Sequence, residues 1–184
     1  EAFSNKVVDF HLSNGGMSRY EKVKIFNGEW LGETLTQDYI DELSQTFSEL
    51  VVEGVINASE VKGAIDFLKT SGKYQKYIIT GTPTLEIKPI LVRRKMNQFF
   101  LEAFGSPEKK GFWVQYILKK ENIKAKQCVF VGDALADYNA AKDNNITFIL
   151  RETQETIELF KAYKGFRIRD MTTLHDILNK IQKG

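Results

Sequence analysis

Cys128-Val129-Phe130-Val131 is an unbroken apolar run that closes on Gly132-Asp133, and a second run, Ile146-Thr147-Phe148-Ile149-Leu150, follows after a helical interval. Short continuous apolar runs bounded by turn residues read as fully buried strands. The interval from Ala134 to Lys142 has the length and composition of a connecting helix. The pattern recurs earlier, where Tyr77-Ile78-Ile79-Thr80 ends at Gly81, and Thr82-Pro83 offers an N-cap followed by proline at the first helical position. Pro89 should kink or end that helix early. Phe100–Phe104 reads as a short strand, and Ser106-Pro107 opens a helix reaching about Glu121. Phe166-Arg167-Ile168 fits an edge strand, and Asp170 can cap a last helix with Met171, Leu174, Ile177, Leu178 and Ile181 on one side. Strands separated by helices predict an α/β fold built on a parallel sheet with helices on both faces.

The N-terminal third differs. Glu1–Leu12 has helical spacing and stops before Asn14-Gly15-Gly16, a strong breaker. Tyr20–Phe26 and Asp38–Val52 also read as helix, the second with Tyr39, Leu43, Phe47 and Leu50 on one stripe. No strand pattern occurs there. The expected organisation is therefore a small all-α unit over residues 1–56 and an α/β domain over residues 57–184, the latter opening with a helix capped by Asn57 or Ser59.

Charged residues make up 27% of the chain and nearly cancel to a formal +2, which points neither to nucleic acid nor to a membrane surface. The apolar runs are too short to cross a bilayer, and the start carries no export signal. One cysteine makes no internal disulfide and two histidines leave little for a His/Cys metal cage, so Cys128 is expected to pack in the core and the cytoplasm is the default location. The oligomeric state is not legible.

Three strand-to-helix junctions carry polar groups where open parallel sheets place their ligands, beyond the carboxyl ends of the strands. At Thr80-Gly81-Thr82-Pro83 a hydroxyl and close-approaching backbone precede a helix N-terminus, a setting that favours phosphate but also serves as an ordinary turn and cap. At Gly105-Ser106-Pro107-Glu108-Lys109-Lys110 two lysines enter the first turn against the helix dipole, so they are either solvated or serve an anion. At Val131-Gly132-Asp133-Ala134-Leu135-Ala136-Asp137 two acids four residues apart fall on one side of the turn. Such oxygen donors suit Mg²⁺, which takes one or two carboxylates with water and substrate phosphate. Helix capping by Asp133 is the alternative.

Taken in order, Thr80, Lys110, and Asp133 with Asp137 resemble the second, third and fourth motifs of the haloacid dehalogenase (HAD) superfamily. Val131-Gly132-Asp133, Asp137-Tyr138 and Ala140-Ala141 resemble the last motif of its phosphatase branch, and Gly105-Ser106-Pro107 with Lys110 resembles the lysine segment. The resemblance covers Asn57–Leu150 well and the C-terminal helix loosely. It implies a Rossmann-like core with a C1-type helical cap, Mg²⁺ as cofactor, and a small phosphorylated metabolite, of phosphosugar or phosphoglycolate type, as substrate. It implies that Thr80 and Gly81 hold the transferring phosphoryl group, that Lys110 neutralises it, that Asp133 binds Mg²⁺, and that Asp137 supports the metal site through water or hydrogen bonds. Such a division suits phosphoryl transfer, which is mostly positioning and charge neutralisation. In the cap loop Asn14–Lys22, Gly15-Gly16 gives freedom for Arg19 to reach an anionic substrate; a plain interhelix turn is the alternative.

The family's first motif, Asp-x-Asp after an apolar strand, has no counterpart. Asp9, in Val7-Val8-Asp9-Phe10-His11, lacks a second acid two places on and sits in a helical stretch. The resemblance therefore implies a sheet without its first, central strand, a chain shortened from a longer protein, and no turnover from these residues alone, since the nucleophile would be missing. A phosphosugar mutase of the same superfamily, or a phosphate- or metal-binding module without turnover, remain the other readings. A metal-free dehalogenase would not need the Asp133/Asp137 pair.

Overall fold

The computed structural model describes residues 2–183, and position 1 of the expected first helix lies outside them. The residues group into two compact units. One comprises residues up to Gly15, Glu60–Gln75, and the chain from Lys110 onward; the other comprises Gly16–Ser59 and Lys76–Lys109. Each is an assembly of separate chain segments.

In the second unit, α2 (Arg19–Val23) runs into a π-helical stretch, Lys24–Trp30, and α3 (Gln37–Asn57) follows. Ser18 and Thr36 cap α2 and α3 by accepting the backbone N–H groups of Glu21 and Tyr39. The buried face of α3 is Ile40, Ser44 and Ser48, whereas Phe47 and Leu50 of the expected apolar stripe are exposed at 41% and 77%. The stripe has the right period, with Tyr39 and Leu43 half-buried, but its C-terminal part is turned outward, because a buried polar cluster packs against the serines. The strand β1 (Tyr77–Pro83) pairs in parallel with β2 (Glu102–Ser106), and α5 (Thr84–Arg93) connects them. Ile87, Leu91 and Ala103 pack with Ile78, Met96 and Phe100 as the local core.

Several boundaries move. The strand β1 runs on through Gly81 and Thr82, with an irregular register between Ile79 and Pro83. Pro83 itself is the N-cap of α5, and no side chain caps the helix, so the expected Thr82 cap is not formed. Pro89 lies inside α5, which continues to Arg93. A proline six residues into a helix removes only one ladder bond, and the apolar contacts of Ile87, Ile90 and Leu91 hold the helix together. Gly105 is dictated by close approach: a Cβ there would lie 1.8 Å from the Thr82 carbonyl oxygen.

In the first unit, α1 (Ala2–Ser13) and α4 (Ala64–Thr70) accompany α6 (Lys110–Lys120), β3 (Val129–Gly132), α7 (Leu135–Asp143), β4 (Thr147–Arg151), β5 (Phe166–Ile168) and α8 (Leu174–Lys183). The expected cap of α4 at Asn57 or Ser59 is replaced by Gly63 in the left-handed region. The first helical residue after Ser106-Pro107 is Lys110, later than expected. The three strands form a parallel sheet in the order β3-β4-β5, with Val129 opposite Thr147 and Ile149 opposite Phe166. One face of β4 places Phe148 and Leu150 with Ala141 and Phe160, and the other places Ile149 with Ile168, Leu174 and Leu178. Both faces of the sheet are therefore covered, as the apolar runs require. Asp170 accepts the Thr172 N–H at 2.9 Å and starts the turn into α8, as the sequence predicts. Among the described residues no helix is long and apolar enough to cross a membrane.

Candidate phosphate and metal site

The tip of β3 is where the sequence places its most specific motif. Asp137, in the first turn of α7, folds back over that tip. Its Oδ2 accepts the backbone N–H groups of Asp133 at 3.3 Å and Ala134 at 3.1 Å. These are the free donors that every helix N-terminus exposes, and the carboxylate also meets the positive end of the helix dipole. So Asp137 does the capping that Asp133 was weighed for. Gly132 makes this possible, since a Cβ at that position would lie 2.5 Å from the Asp137 side chain.

The other carboxylate oxygen of Asp137 holds Lys110. Nζ of Lys110 lies 2.5 Å from Asp137 Oδ1, with the two side chains only 11% and 7% exposed. A lysine at the first position of α6 would otherwise face an unfavourable dipole. Here its charge is met by a buried anion, and its ammonium is fixed at the strand tip. Lys110 and Asp137 are thus brought together, and Asp133 adjoins them through its backbone N–H.

Asp133 has a different environment. Its side chain is 51% exposed, and among the described residues it pairs with Arg151, at the tip of β4, with Nη1 3.5 Å from Oδ2. No cluster of three or more His, Cys, Asp or Glu side chains exists among the described residues to cage an ion. The donor set fits Mg²⁺ nonetheless, because that ion keeps its waters and accepts one or two carboxylates. Asp133 has the open carboxylate for this. Asp137 has both oxygens engaged, which places it behind Asp133 as an orienting group.

Thr80 and Gly81 belong to the other unit. The Thr80 hydroxyl accepts the Thr82 N–H at 3.2 Å, forming a small turn within the irregular end of β1. Ser106 Oγ, 2% exposed as a residue, donates to the Gly81 carbonyl at 2.9 Å, and Thr84 Oγ1 accepts the Gly105 N–H at 2.8 Å. The tips of β1 and β2 are therefore stitched by hydroxyls. The sequence shows Ser106 only as part of the lysine segment and gives Thr84 no role of its own, although the Gly-Ser-Pro and Thr-Pro-Thr strings mark their places.

Arg19 stands apart from a loop group free to reach outward. Its side chain is 10% exposed, and Nη1 lies 2.9 Å from Glu86 Oε1 and 3.3 Å from the Ser44 carbonyl. It also bonds Ser48 Oγ and lies over the Phe47 ring, 5.0 Å from its centroid. These contacts tie α2 to α3 and α5. Glu86, its main partner, is an acid in the first turn of α5 that carries no local sequence signal.

Comparison with known proteins now decides the family. The haloacid dehalogenase-like hydrolase family matches residues 10–151. The chain belongs to that family. A phosphoglycolate phosphatase from Colwellia psychrerythraea is 33% identical over 122 residues, 63% of this chain and 53% of that protein's own length. The chain therefore matches about half the length of this curated relative. Among solved structures, a predicted phosphoglycolate phosphatase from Haemophilus somnus superposes with a TM-score of 0.72 at 19% identity, covering 94% of this chain and 81% of the other. The HAD-hydrolase YfnB from Bacillus subtilis, solved bound to magnesium, superposes with a TM-score of 0.66 at 20% identity over 97% of this chain and 79% of its own. These likenesses show the Rossmann-like HAD fold that the motif resemblance implies, with the parallel α/β order read from the strands and helices.

Proposed function

We propose that this HAD chain contributes the phosphate- and metal-binding part of a Mg²⁺-dependent phosphatase acting on a small phosphorylated metabolite of the phosphoglycolate or phosphosugar type. The observation that carries the reading is the β3 tip, where Lys110 is held by Asp137 beside the open carboxylate of Asp133. Thr80 and the Gly81 amide, which belong to the other unit, are given the phosphoryl oxygens by the family pattern alone. Lys110 stabilises the charge that builds on them, and preorganisation by Asp137 keeps its ammonium from reorganising during the reaction. Asp133 holds the ion, which when bound supplies charge neutralisation to the phosphoryl group. Arg19 is left out of the substrate contacts, since its Nη1 is engaged with Glu86, Ser44 and Ser48.

The 184 residues contain no Asp-x-Asp pair. We therefore propose that they give no turnover by themselves and that a longer form carrying such a strand is the active one. The test is phosphate release by that longer form from phosphoglycolate, phosphosugars and p-nitrophenyl phosphate, with and without Mg²⁺. Release that needs Mg²⁺ and disappears in Asp133→Asn supports the reading. Equal release by the 184-residue chain, or release indifferent to Asp133, contradicts it.

A further inference from the structure

Arg151 ends β4 beside the end of β3, so the parallel register brings its guanidinium to Asp133. Nη1 reaches Asp133 Oδ2 at the long distance of 3.5 Å, and Nε is buried with no acceptor among the described residues. A guanidinium whose Nε hydrogen is unmet and whose ion pair is long and half-exposed is weakly held. Two further acids feel its charge. Burial aside, Asp170 is held below the ordinary carboxyl range first by its hydrogen bonds with Thr172, then by the charges of Lys62 and Arg151. Glu155 is held down by its own backbone and Thr153, and also by Arg151. Arg151 thus lies within electrostatic reach of three carboxylates, of which Asp133 is the one that presents oxygens to solvent at the site.

We propose that Arg151 is a built-in competitor for the metal: it pairs with Oδ2 of the otherwise open Asp133 carboxylate when no ion is bound, and a divalent cation that takes that oxygen displaces it. This rests on the assignment of Asp133 as the metal ligand. Two consequences follow from charge alone. Arg151 satisfies Asp133 in the metal-free protein, and it lowers metal affinity, because a divalent ion that takes Oδ2 must break the pair and then sit near a positive guanidinium. Glu155 and Asp170 give the displaced guanidinium other negative charge to turn toward. The arginine is accordingly a positioning residue that sets the metal concentration at which the site fills, and it takes no part in the chemistry.

The test is equilibrium binding of Mn²⁺ to the 184-residue chain, read from the free-ion electron paramagnetic resonance signal, with Mg²⁺ competition as a second arm. Arg151→Met and Arg151→Gln should each tighten Mn²⁺ binding by about three- to tenfold, the range expected for removing one half-exposed ion pair and a nearby like charge. Arg151→Lys, which keeps the charge, should stay near wild type. Asp133→Asn should abolish the binding. Circular dichroism on each variant confirms that it is folded. Wild-type affinity in both neutral variants, with binding still lost in Asp133→Asn, overturns the competitor role and leaves the metal site standing. Weaker binding in the neutral variants overturns it too, because Arg151 would then support the ion. Mn²⁺ binding that survives Asp133→Asn, or its absence in wild type and every variant alike, overturns the metal assignment itself.

Discussion

Two mostly buried ion pairs, one in each unit, look alike in sequence and differ in what surrounds them. Lys110–Asp137 has both carboxylate oxygens used, one by the ammonium and one by two backbone N–H groups. Arg19–Glu86 has Oε1 crowded with the Nη1 group and the Ser48 hydroxyl, while Oε2 is buried without a partner among the described residues. Ser44 Oγ, in the same cluster, is likewise buried and unmet. A fully satisfied buried pair is rigid; a partly satisfied one pays desolvation without full return. The first arrangement is what a charge-positioning site needs. The second is an inter-helix tie that leaves polar capacity unused.

The largest effect should come from Asp137→Ala in the 184-residue chain. It leaves the Lys110 charge mostly buried and two N–H groups uncapped, a loss of about 4 kcal/mol read from the urea unfolding midpoint and slope. A loss below about 1 kcal/mol would mean that Lys110 simply swings to solvent. Next, Gly132→Ala should destabilise by about 2 kcal/mol, because the added methyl group and the Asp137 side chain cannot share the space 2.5 Å from the Gly132 Cβ position. Its combination with Asp137→Ala should be less than additive, since the clash partner is then gone. A fully additive double mutant would show that the two residues do not meet.

Arg19→Ala should be milder, about 2 kcal/mol, because Glu86 is left with an already imperfect set of partners and is 21% exposed as a side chain. A loss as large as that of Asp137→Ala would erase the contrast between the two pairs. The smallest effect belongs to Arg93–Glu53, an exposed pair on the helices α5 and α3 whose side chains are 50% and 61% accessible. The hydrogen bond from Arg93, then its charge, holds the Glu53 carboxyl below its usual value. A depressed carboxyl adds stability above its unfolded value and loses that stability as pH falls through the folded one. Arg93→Ala should therefore leave the midpoint almost unchanged at pH 7 in salt, with any difference disappearing in acid. A difference that grew as pH fell would have the wrong sign.

The strands were legible because their signals are local. Cys128–Val131 and Ile146–Leu150 each fall within one residue of the observed element at either end, and Tyr77–Thr80 shares its start with β1, which runs three residues further. The family's spacing also singled out Lys110, Asp133 and Asp137, which meet at the β3 tip. What was not legible depends on partners far along the chain. The face that α3 buries is set by Arg19 and Glu86, which lie 25 and 42 residues from Ser44 in opposite directions (44 − 19 and 86 − 44). Arg151 carries no local mark at all, since only the register of β4 against β3 brings it to Asp133. Spacing alone makes Asp133 and Asp137 a pair of oxygen donors and cannot say which carboxylate turns inward; only the family pattern sets Asp137 behind Asp133. The Gly132 contact with Asp137 settles that, and a glycine just before the first acid is the trace it leaves in the sequence.

The central claim is that Lys110, fixed by Asp137, neutralises a transferring phosphoryl group. The most direct measurement is steady-state phosphatase kinetics of the longer, Asp-x-Asp-bearing form with Lys110→Gln, at saturating Mg²⁺ and with folding verified. The account predicts that kcat falls by about a hundredfold or more, the magnitude typical of removing one preorganised electrostatic group. A kcat within about threefold of wild type, on the same scale, would contradict it.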